Sequence, residues 1–569
     1  MFDASTGSGA TTYEELWRSW NPWQFIPERF NLGVHLTQTQ VERGLGNKWA
    51  ILWENAHGDT ERFTYAQLDA LSNRLARSLS QLGVCRGDRV LLRLHNVPEF
   101  YIAALAIAKL GAIFIPTSTQ FRQEEIAYRL KDTEAVAAIT TLHLLPALED
   151  AAASIPSLRH LIVVAYPDRH QPIPNRYEDF WHLVESGNEN FVPAETRHDD
   201  IAFIAYTSGT TGEPKGVVHL HRYAVAYESL VRFWHDYQAD DVVACPSELG
   251  WLLPVASTFL YALSHGLTVV LYDPLGGRFD GEKWLQLFEK YRITNFTAPP
   301  TVYRMLLLVA DRAQRYALSC WRHAVSAGEP LAPDTIEAME RIYGVVPLDG
   351  LGMSECMVYC FNMVGQKIKR GSCGRPGPGT VIELMDEQMK PVGPDTPGVL
   401  CVRRDTHPGM MKEYWNKAVQ TAEVFRGEWY WSGDVLVRDG DGYFWFQGRA
   451  DDVIKASGYR ISPFEVESAL LTHPAVHEAA AVASPDPIRG NVVKAFMVLR
   501  PGYVPSEELS AQIQQHVRGR IAAFKCPRKI EFIEALPKTT SGKIRRQELR
   551  RREFAQAGTQ SSCDEPASR

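Results

Sequence analysis

The nine cysteines of this 569-residue chain form no C-x-x-C pair, so neither a disulfide framework nor a zinc site is expected. Cys356 and Cys360 stand four apart, but no His or Cys pair accompanies them, and two buried thiols are the simpler reading. Positive charge is also in deficit: 60 Lys and Arg face 67 Asp and Glu, a net charge of -7. That removes the electrostatic case for nucleic acid. The basic runs 543–546 and 550–552 read as a solvated helix face, because no aromatic residues interleave them. Long apolar runs are missing. The longest, Tyr101 to Pro116, is interrupted by Lys109 and falls short of the roughly 20 residues a membrane helix needs. Residues 1–7 have neither a basic n-region nor an apolar h-region, so no secretory signal is expected and a cytoplasmic, reducing setting is the default. No short-period repeat is present. What remains is an ordinary globular composition, 45% hydrophobic and 22% charged. The length suits about three to four domain-sized units.

Residues 1–45 carry Trp17, Trp20 and Trp23 and read as a leader packed on the body. A helix is well marked after Thr64, its N-cap, with Leu68, Leu71, Leu75, Leu79 and Leu82 at helical spacing and Gly83 as its stop. A strand over 89–94, an apolar helix over 98–110 and strands over 112–116 and 160–165 follow. Further strands are expected at 242–244, 268–272 and 294–298. This β-α-β alternation predicts a largely parallel sheet with helices on both faces. Near residue 450 the texture changes. Ser462-Pro463-Phe464-Glu465 reads as a capping box with proline at the first helical position. Strands over 476–483, 494–499 and 529–533, a helix over 507–523 and a basic final helix make a small α+β domain. The polar segment 557–569 is expected to be disordered.

The most informative segment is Thr207-Ser208-Gly209-Thr210-Thr211-Gly212-Glu213-Pro214-Lys215-Gly216, which follows the apolar run Ile201 to Tyr206. A Gly/Thr-rich loop leaving a strand offers N–H groups and hydroxyls to phosphate oxygens. It is not a Walker A loop, since the G-x-x-x-x-G-K-[ST] spacing is absent. The alternative is a flexible linker. Five further stations follow in order: Ala327-Gly328-Glu329-Pro330; Asp349-Gly-Leu351-Gly352-Met-Ser354-Glu355; Trp431-Ser432-Gly433-Asp434, an Asp after a tight turn; Gly448 to Arg460; and Leu536 to Lys543. Each alone reads equally well as a turn or a solvated surface.

Together, in this order and spacing, they resemble the adenylate-forming superfamily of acyl-CoA synthetases, luciferase-like enzymes and peptide-synthetase adenylation domains. The resemblance covers about residue 45 to 555. Within it, residues 448–467 and 484–496 are similar to medium-chain acyl-CoA synthetases, and residues 349–355 to benzoate-type CoA ligases. The resemblance implies an α/β fold: a large N-terminal domain (1–450) of two α/β subdomains plus a β-barrel-like part, and a small mobile α+β C-terminal domain (451–556). It implies an acyl-adenylate made from ATP and a carboxylic acid, then attack by coenzyme A. The loop from Thr207 to Gly212 with Lys215 would hold the phosphates. Glu355 would bind Mg²⁺ and Ser354 would touch the α-phosphate. Gly328 and Glu329 would line adenine, with Asp349 counted among the nucleotide-binding residues. Asp434 would accept from the ribose, with Arg449 nearby. Lys543 would catalyse adenylation. Rotation about a hinge at Asp451 would then present Gly458 and its neighbourhood, including Arg460, to the thiol tunnel. Leu351 stands where many relatives carry an aromatic stacked on adenine.

The acid is less legible. Gly352 stands where acetate-activating relatives carry tryptophan, so the expectation is open acyl space and no preference for acetate. Trp251 matches an aromatic gate, with a core tryptophan as the alternative. Medium-chain, branched and aryl acids all fit. Two other readings stand beside this one: transfer to an acceptor other than CoA, and a non-catalytic nucleotide-binding interaction protein. A homodimer is left open.

Overall fold

The computed structural model describes residues 12–207, 213–277, 279–449, 452, 454–456, 459–486, 490–521, 523–539 and 542–561. The chain divides into two compact units. The first holds residues 1–207, 215–381 and 403–428; the second holds 208–214, 382–402 and 429–569. The boundary at 450 expected for a mobile part therefore falls inside the second unit.

Two sheets build the first unit. One has nine strands in the order Arg375–Pro376, Cys356–Phe361, Pro347–Met353, His323–Ala327, Asn295–Ala298, Val242–Ala244, Thr268–Asp273, Trp49–Asn55, Thr60–Thr64. Its five central pairs are parallel; the two pairs made by Cys356–Phe361 and the pair of Trp49–Asn55 with Thr60–Thr64 are antiparallel. The other has seven: Glu178–Asp179, His160–Val164, Ala137–Thr141, Arg89–Arg93, Ile113–Pro116, Ile201–Thr207, Lys215–Leu220. Only its last pair is antiparallel. The crossover helices this requires are present, so the predicted α/β pattern stands.

Helix Tyr65–Gln81 starts at Thr64 with a full capping box through Gln67, and Gly83 follows it at a φ of +84°, as the spacing predicts. Helix Pro98–Lys109 is buried along its whole length, which is why its sequence has no polar face. Its last residue, Lys109, is fully buried. The ammonium donates to Asp69 Oδ1 at 2.8 Å, Ser72 Oγ at 2.8 Å and Asn73 Oδ1 at 2.7 Å. Burial, outweighing Asp69, pulls Lys109 down to about 8.

The tryptophan-rich leader packs on this unit as expected. Tyr13 Oη donates to Pro376 O at 3.1 Å, Trp17 Nε1 to Thr380 O at 3.2 Å and Trp23 Nε1 to Asp405 O at 2.7 Å. Arg232 lies over the rings of Trp20 and Phe25, at 5.6 and 5.3 Å.

The second unit holds a small antiparallel half-barrel, with strands Ile382–Met385, Gly398–Arg403, Trp429–Arg438 and Phe444–Arg449. It also holds a three-stranded sheet of Val476–Asp486, Gly490–Leu499 and Lys529–Phe532. Helices Pro463–Leu471 and Glu507–Arg518 contribute to one core cluster against that sheet, and Leu549 of the final helix to another.

Three local expectations change. Ser462 caps its helix by accepting from Glu465 N at 3.2 Å, but the Glu465 carboxylate turns to Lys525 Nζ, at 2.6 and 2.8 Å, and does not close the box. Residues 431–434 form no tight turn. They lie inside strand Trp429–Arg438, with Gly433 alone at a φ of +75°. The final helix runs from Arg546 to Ser561, so order extends into the segment expected to be disordered.

Candidate active site

Strand Ile201–Thr207 and strand Lys215–Leu220 pair antiparallel, with Thr207 directly opposite Lys215. The Gly/Thr-rich segment is therefore the connection of a hairpin, and both its ends are fixed by the ladder. Ser208, Gly209, Thr210, Thr211 and Gly212 lie outside the described residues. Gly216 is required by packing. A Cβ there would meet Ile204 Cγ2 at 2.9 Å, Tyr206 Cζ at 3.1 Å and Trp415 Cβ at 3.3 Å.

Residues 411–415 run beside this hairpin. Lys412 N donates to Val218 O at 2.9 Å, Val218 N to Glu413 O at 3.0 Å and Trp415 N to Gly216 O at 2.7 Å. The pairing brings Tyr414 under Lys215, whose Nζ lies 4.8 Å from the ring centroid. Tyr414 Oη donates to Glu355 Oε1 at 2.6 Å, and Met411 N donates to Glu355 O at 2.7 Å. A cation, a phenol and a carboxylate from three remote stretches of sequence thus form one chain of contacts. Lys215, Ser354 and Glu355 are half-buried, so the group is open to a ligand on one side.

Tyr227 braces this arrangement. Its hydroxyl donates to Gly409 O at 2.8 Å and accepts from Met357 N at 3.0 Å. Gly409 is glycine because a Cβ would stand 2.2 Å from the Tyr227 ring. Neither Tyr414 nor Tyr227 stood out in the sequence. Their partners lie far away in the chain, and a lone tyrosine in an apolar stretch looks like core.

One expectation for residues 349–355 changes on the structure, at Gly352. Gly352 pairs with Val358 between register shifts, and a Cβ on it would lie 1.8 Å from Met357 O and 2.7 Å from Val358 Cα. Its glycine serves close approach of two backbones, and the open acyl space expected behind it does not follow. Asp349 is 3% exposed. Its Oδ2 accepts from Leu331 N at 3.2 Å, and burial raises its carboxyl to about 8. Leu351 lies opposite Cys360, half-buried. Cys356 and Cys360 are both free and buried, as expected, and no metal-binding group of three or more His, Cys, Asp or Glu occurs among the described residues.

Gly328 follows strand His323–Ala327 at a φ of +102°, with no atom within 4 Å of the place a Cβ would take. Such a backbone suits glycine and leaves a face for a flat ligand. Glu329 lies 3.6 Å from Arg304.

Trp251 is half-buried, edge-on to Phe121 with centroids 5.7 Å apart. Its segment is clamped between the two sheets. Ser118 Oγ donates to Glu248 Oε2 at 2.7 Å, Leu249 N donates to Asn96 Oδ1 at 3.0 Å, and a Cβ on Gly250 would meet Ser118 Cα at 2.4 Å. Both expected roles, gate and packing, are compatible with that position.

In the second unit, Asp434 is 4% exposed and accepts from Arg449 Nη1 at 2.8 Å. Gly433 makes room for that guanidinium, since a Cβ there would lie 3.0 Å from Arg449 Nη2. Lys543 is exposed on a tight loop: Thr539 N donates to Lys543 O at 2.8 Å, Lys543 N to Thr539 Oγ1 at 3.1 Å, and Gly542 takes a φ of +85°. Arg460 lies in strand Tyr459–Ile461, paired with Lys455. Asp451 and Gly458 lie outside the described residues.

Comparison with known proteins fits this geometry. Residues 37–415 match the AMP-binding enzyme family model and residues 465–543 match the AMP-binding enzyme C-terminal domain. The chain is 38% identical over 540 residues to the mitochondrial acyl-coenzyme A synthetase ACSM3 of Rattus norvegicus, covering 93% of this chain and 91% of that one. It is 38% identical over 528 residues to the uncharacterized acyl-CoA ligase YtcI of Bacillus subtilis strain 168, covering 93% and 97%. Among solved structures it resembles the anthranilate CoA ligase AuaEII in complex with anthranoyl-AMP, with a TM-score of 0.84, 30% identity and coverage of 94% and 99%. It also resembles a benzoate CoA ligase from Burkholderia xenovorans LB400, with a TM-score of 0.80, 30% identity and coverage of 92% and 100%. With Lys215 and Glu355 joined through Tyr414, and with matches over nearly its whole length, the chain belongs to the AMP-binding enzyme family, alongside acyl-CoA synthetases and CoA ligases.

Proposed function

We propose that the acid activated by this AMP-forming carboxylate–CoA ligase is medium-chain, branched or aromatic, and that the Lys215–Tyr414–Glu355 contacts form the phosphate side of its adenylation site. The observation that carries the site is the 2.6 Å bond from Tyr414 to Glu355, with Lys215 over the same ring. The likeness to an anthranilate and a benzoate CoA ligase at 30% identity supports aryl acids. The likeness to acyl-coenzyme A synthetases at 38% supports acyl chains.

In the first half-reaction the carboxylate attacks the α-phosphorus of ATP, giving acyl-AMP and pyrophosphate. In the second the CoA thiol displaces AMP. The first step brings an anion to a polyanion, so charge neutralisation and positioning matter most. Lys215 supplies a fixed cation for the terminal phosphates, and Ser354 a hydroxyl for the α-phosphate. Tyr414, by donating to one carboxylate oxygen, fixes the direction of the other. A Mg²⁺ ion is held well by a single carboxylate, substrate phosphates and waters. The half-buried Glu355 fits that role, and a fuller protein cage is absent among the described residues. When bound, the ion would neutralise phosphate charge. Asp434, already oriented by Arg449, would accept from ribose hydroxyls. Lys543 would bridge the attacking carboxylate and the α-phosphate, then withdraw as the C-terminal part turns about Asp451 and the Gly458 region meets the thiol.

The test is CoA-dependent AMP release over a panel of straight, branched and aryl acids, run with and without CoA. Lys543→Ala should abolish acyl-AMP formation while leaving thioester formation from supplied acyl-AMP. Equal loss of both half-reactions would overturn the division of labour. AMP release without CoA dependence would point to another acceptor, and no AMP release at all to a non-catalytic nucleotide binder.

A further inference from the structure

The three-stranded sheet of the second unit is packed on both faces. Val466, Ala469 and Leu470 of helix Pro463–Leu471 share one core cluster with Ala479 and Ala481. Leu536 and Leu549, which flank the Lys543 loop in the chain, share another with Ala480 and Val482. Side chains alternate along strand Val476–Asp486, so the two clusters lie on opposite faces. That strand is an edge of its sheet, and one buried carboxylate ties the two layers across the edge. Glu467 is 4% exposed. Its Oε1 accepts from Ala481 N at 2.8 Å and from Arg546 Nε at 2.8 Å, and its Oε2 accepts from Arg546 Nη2 at 2.6 Å. Two parallel bonds to one guanidinium fix direction as well as distance. Arg546 opens the final helix and stands three residues after Lys543. The feet of the lysine loop are joined to each other: Arg545 N donates to Pro537 O at 2.8 Å, and Lys538 bridges Ile544. A second ion pair, Lys538 Nζ to Glu478 Oε1 at 2.5 Å, is more open to water, and a pair of that kind fixes little.

We propose that Glu467 is a positioning residue for adenylation: through Arg546 it fixes where the Lys543 loop stands on the C-terminal sheet. The inference rests on the reading that Lys543 carries that half-reaction. A lysine on an exposed loop has a long, free side chain, so its backbone must supply the position. A misplacement of about 1 Å at a reacting group costs on the order of a hundredfold in rate. Thioester formation, for which Lys543 withdraws, makes no such demand. A buried ion pair contributes geometry more than stability: two apolar side chains of similar volume can replace it with the fold kept, whereas removing one partner alone leaves a buried charge uncompensated. The positioning role can therefore be separated from folding.

The experiment compares Glu467→Gln, the paired Glu467→Met/Arg546→Met and Lys543→Ala, each in the full chain. Every variant is measured for acyl-AMP formation from ATP and the best acid of the panel, for thioester formation from supplied acyl-AMP, and for its melting curve. Both Glu467 variants should lower kcat of acyl-AMP formation by about tenfold or more, with KM for ATP, KM for the acid and the thioester rate each within about twofold. Equal loss of both half-reactions in the paired variant would make the role one of general folding, and the inference fails. A folded paired variant that forms acyl-AMP at the parent rate also overturns it. Should the paired variant not fold, Arg546→Lys decides by the same split, since it keeps a charge beside Glu467 and loses the fork. Lys543→Ala separates the underlying reading. If it leaves acyl-AMP formation intact, Lys543 is not the adenylation residue. If it abolishes that step while the Glu467 variants do not slow it, only the positioning is wrong.

Discussion

Replacing Gly352 by alanine should damage the protein more than any other single methyl group near the site. The added Cβ would stand 1.8 Å from Met357 O, 2.4 Å from Met357 C and 2.7 Å from Val358 Cα. A carbon tolerates a carbonyl oxygen at about 3.3 Å, so the facing strand must retreat by roughly 1.5 Å. Every atom in the way is backbone, and no rotamer change relieves the clash. Opening the pair by that much loses one or two ladder hydrogen bonds at about 1 kcal/mol each. It adds an overpacking cost of about 1–3 kcal/mol. The sum, about 2–5 kcal/mol, is a large part of a domain's stability. Ser354 and Glu355 lie just beyond, on the turn closed by the Met353–Cys356 pair. A displacement of about 1 Å there should cost on the order of a hundredfold in kcat. The assays are a melting curve and the acid-dependent release of AMP. If Gly352→Ala melts within about 2 °C of the parent and retains its rate, the backbones do not approach as described. For the same reason a tryptophan at 352 would report on strand rupture, and acid preference must be probed at Trp251.

Tyr414→Phe should lower kcat/KM for ATP by about tenfold, the effect of losing a hydrogen bond to a charged group, without moving the melting temperature. Tyr414→Leu should lose a further few-fold as the ring under Lys215 goes; equal values for the two variants would dismiss the ring. Stability should depend on Asp349 through pH. Its folded carboxyl, raised to about 8 by burial with only the Leu331 and Gly350 N–H groups opposing, holds a proton that the unfolded chain releases. The neighbouring Cys360 thiol is itself pushed up by burial and stays neutral in this range. The folded state therefore binds the extra proton between about pH 4 and 8, and stability falls as pH rises through that window, by up to about 4 kcal/mol at pH 7. Asp349→Asn should gain over the parent as pH rises from 5 to 8, read by urea midpoints; parallel pH curves would refute the assignment.

Much of the scaffold was legible because its signals are local. Thr64 and Gln67 close a capping box within three residues, and the strands near Val242, Thr268 and Asn295 show as short apolar runs. The Lys215, Ser354 and Glu355 stations were legible as motifs. The residues that join them were not. Tyr414 acquires its meaning from a strand pairing with residues some two hundred positions earlier, and Tyr227 from Gly409 and Met357. Glycines were read by rule and deceived in part. Gly433 signals a turn in sequence, yet it sits in a strand to admit Arg449. Gly352 suggests a hollow, yet it marks two chains in contact. Asp349 was counted among the nucleotide-binding residues by resemblance alone; its 3% exposure is a tertiary fact with no local trace.

The aromatic leader bears on the order in which the protein can be assembled during synthesis. Trp17 is satisfied by Thr380, and Trp23 by Asp405. This segment thus has no complete seat until Thr380 and Asp405 have been synthesised. Strand Trp49–Asn55 likewise waits for Thr268–Asp273, whereas the seven-stranded sheet draws on 89–220 alone. That sheet can close first, while the aromatic segment before it is still unplaced. A tryptophan-rich, unseated leader is a natural client for a holdase during that interval. Translation pausing before Asp405 should prolong it, and removing the leader should shorten it at the expense of the finished enzyme's stability.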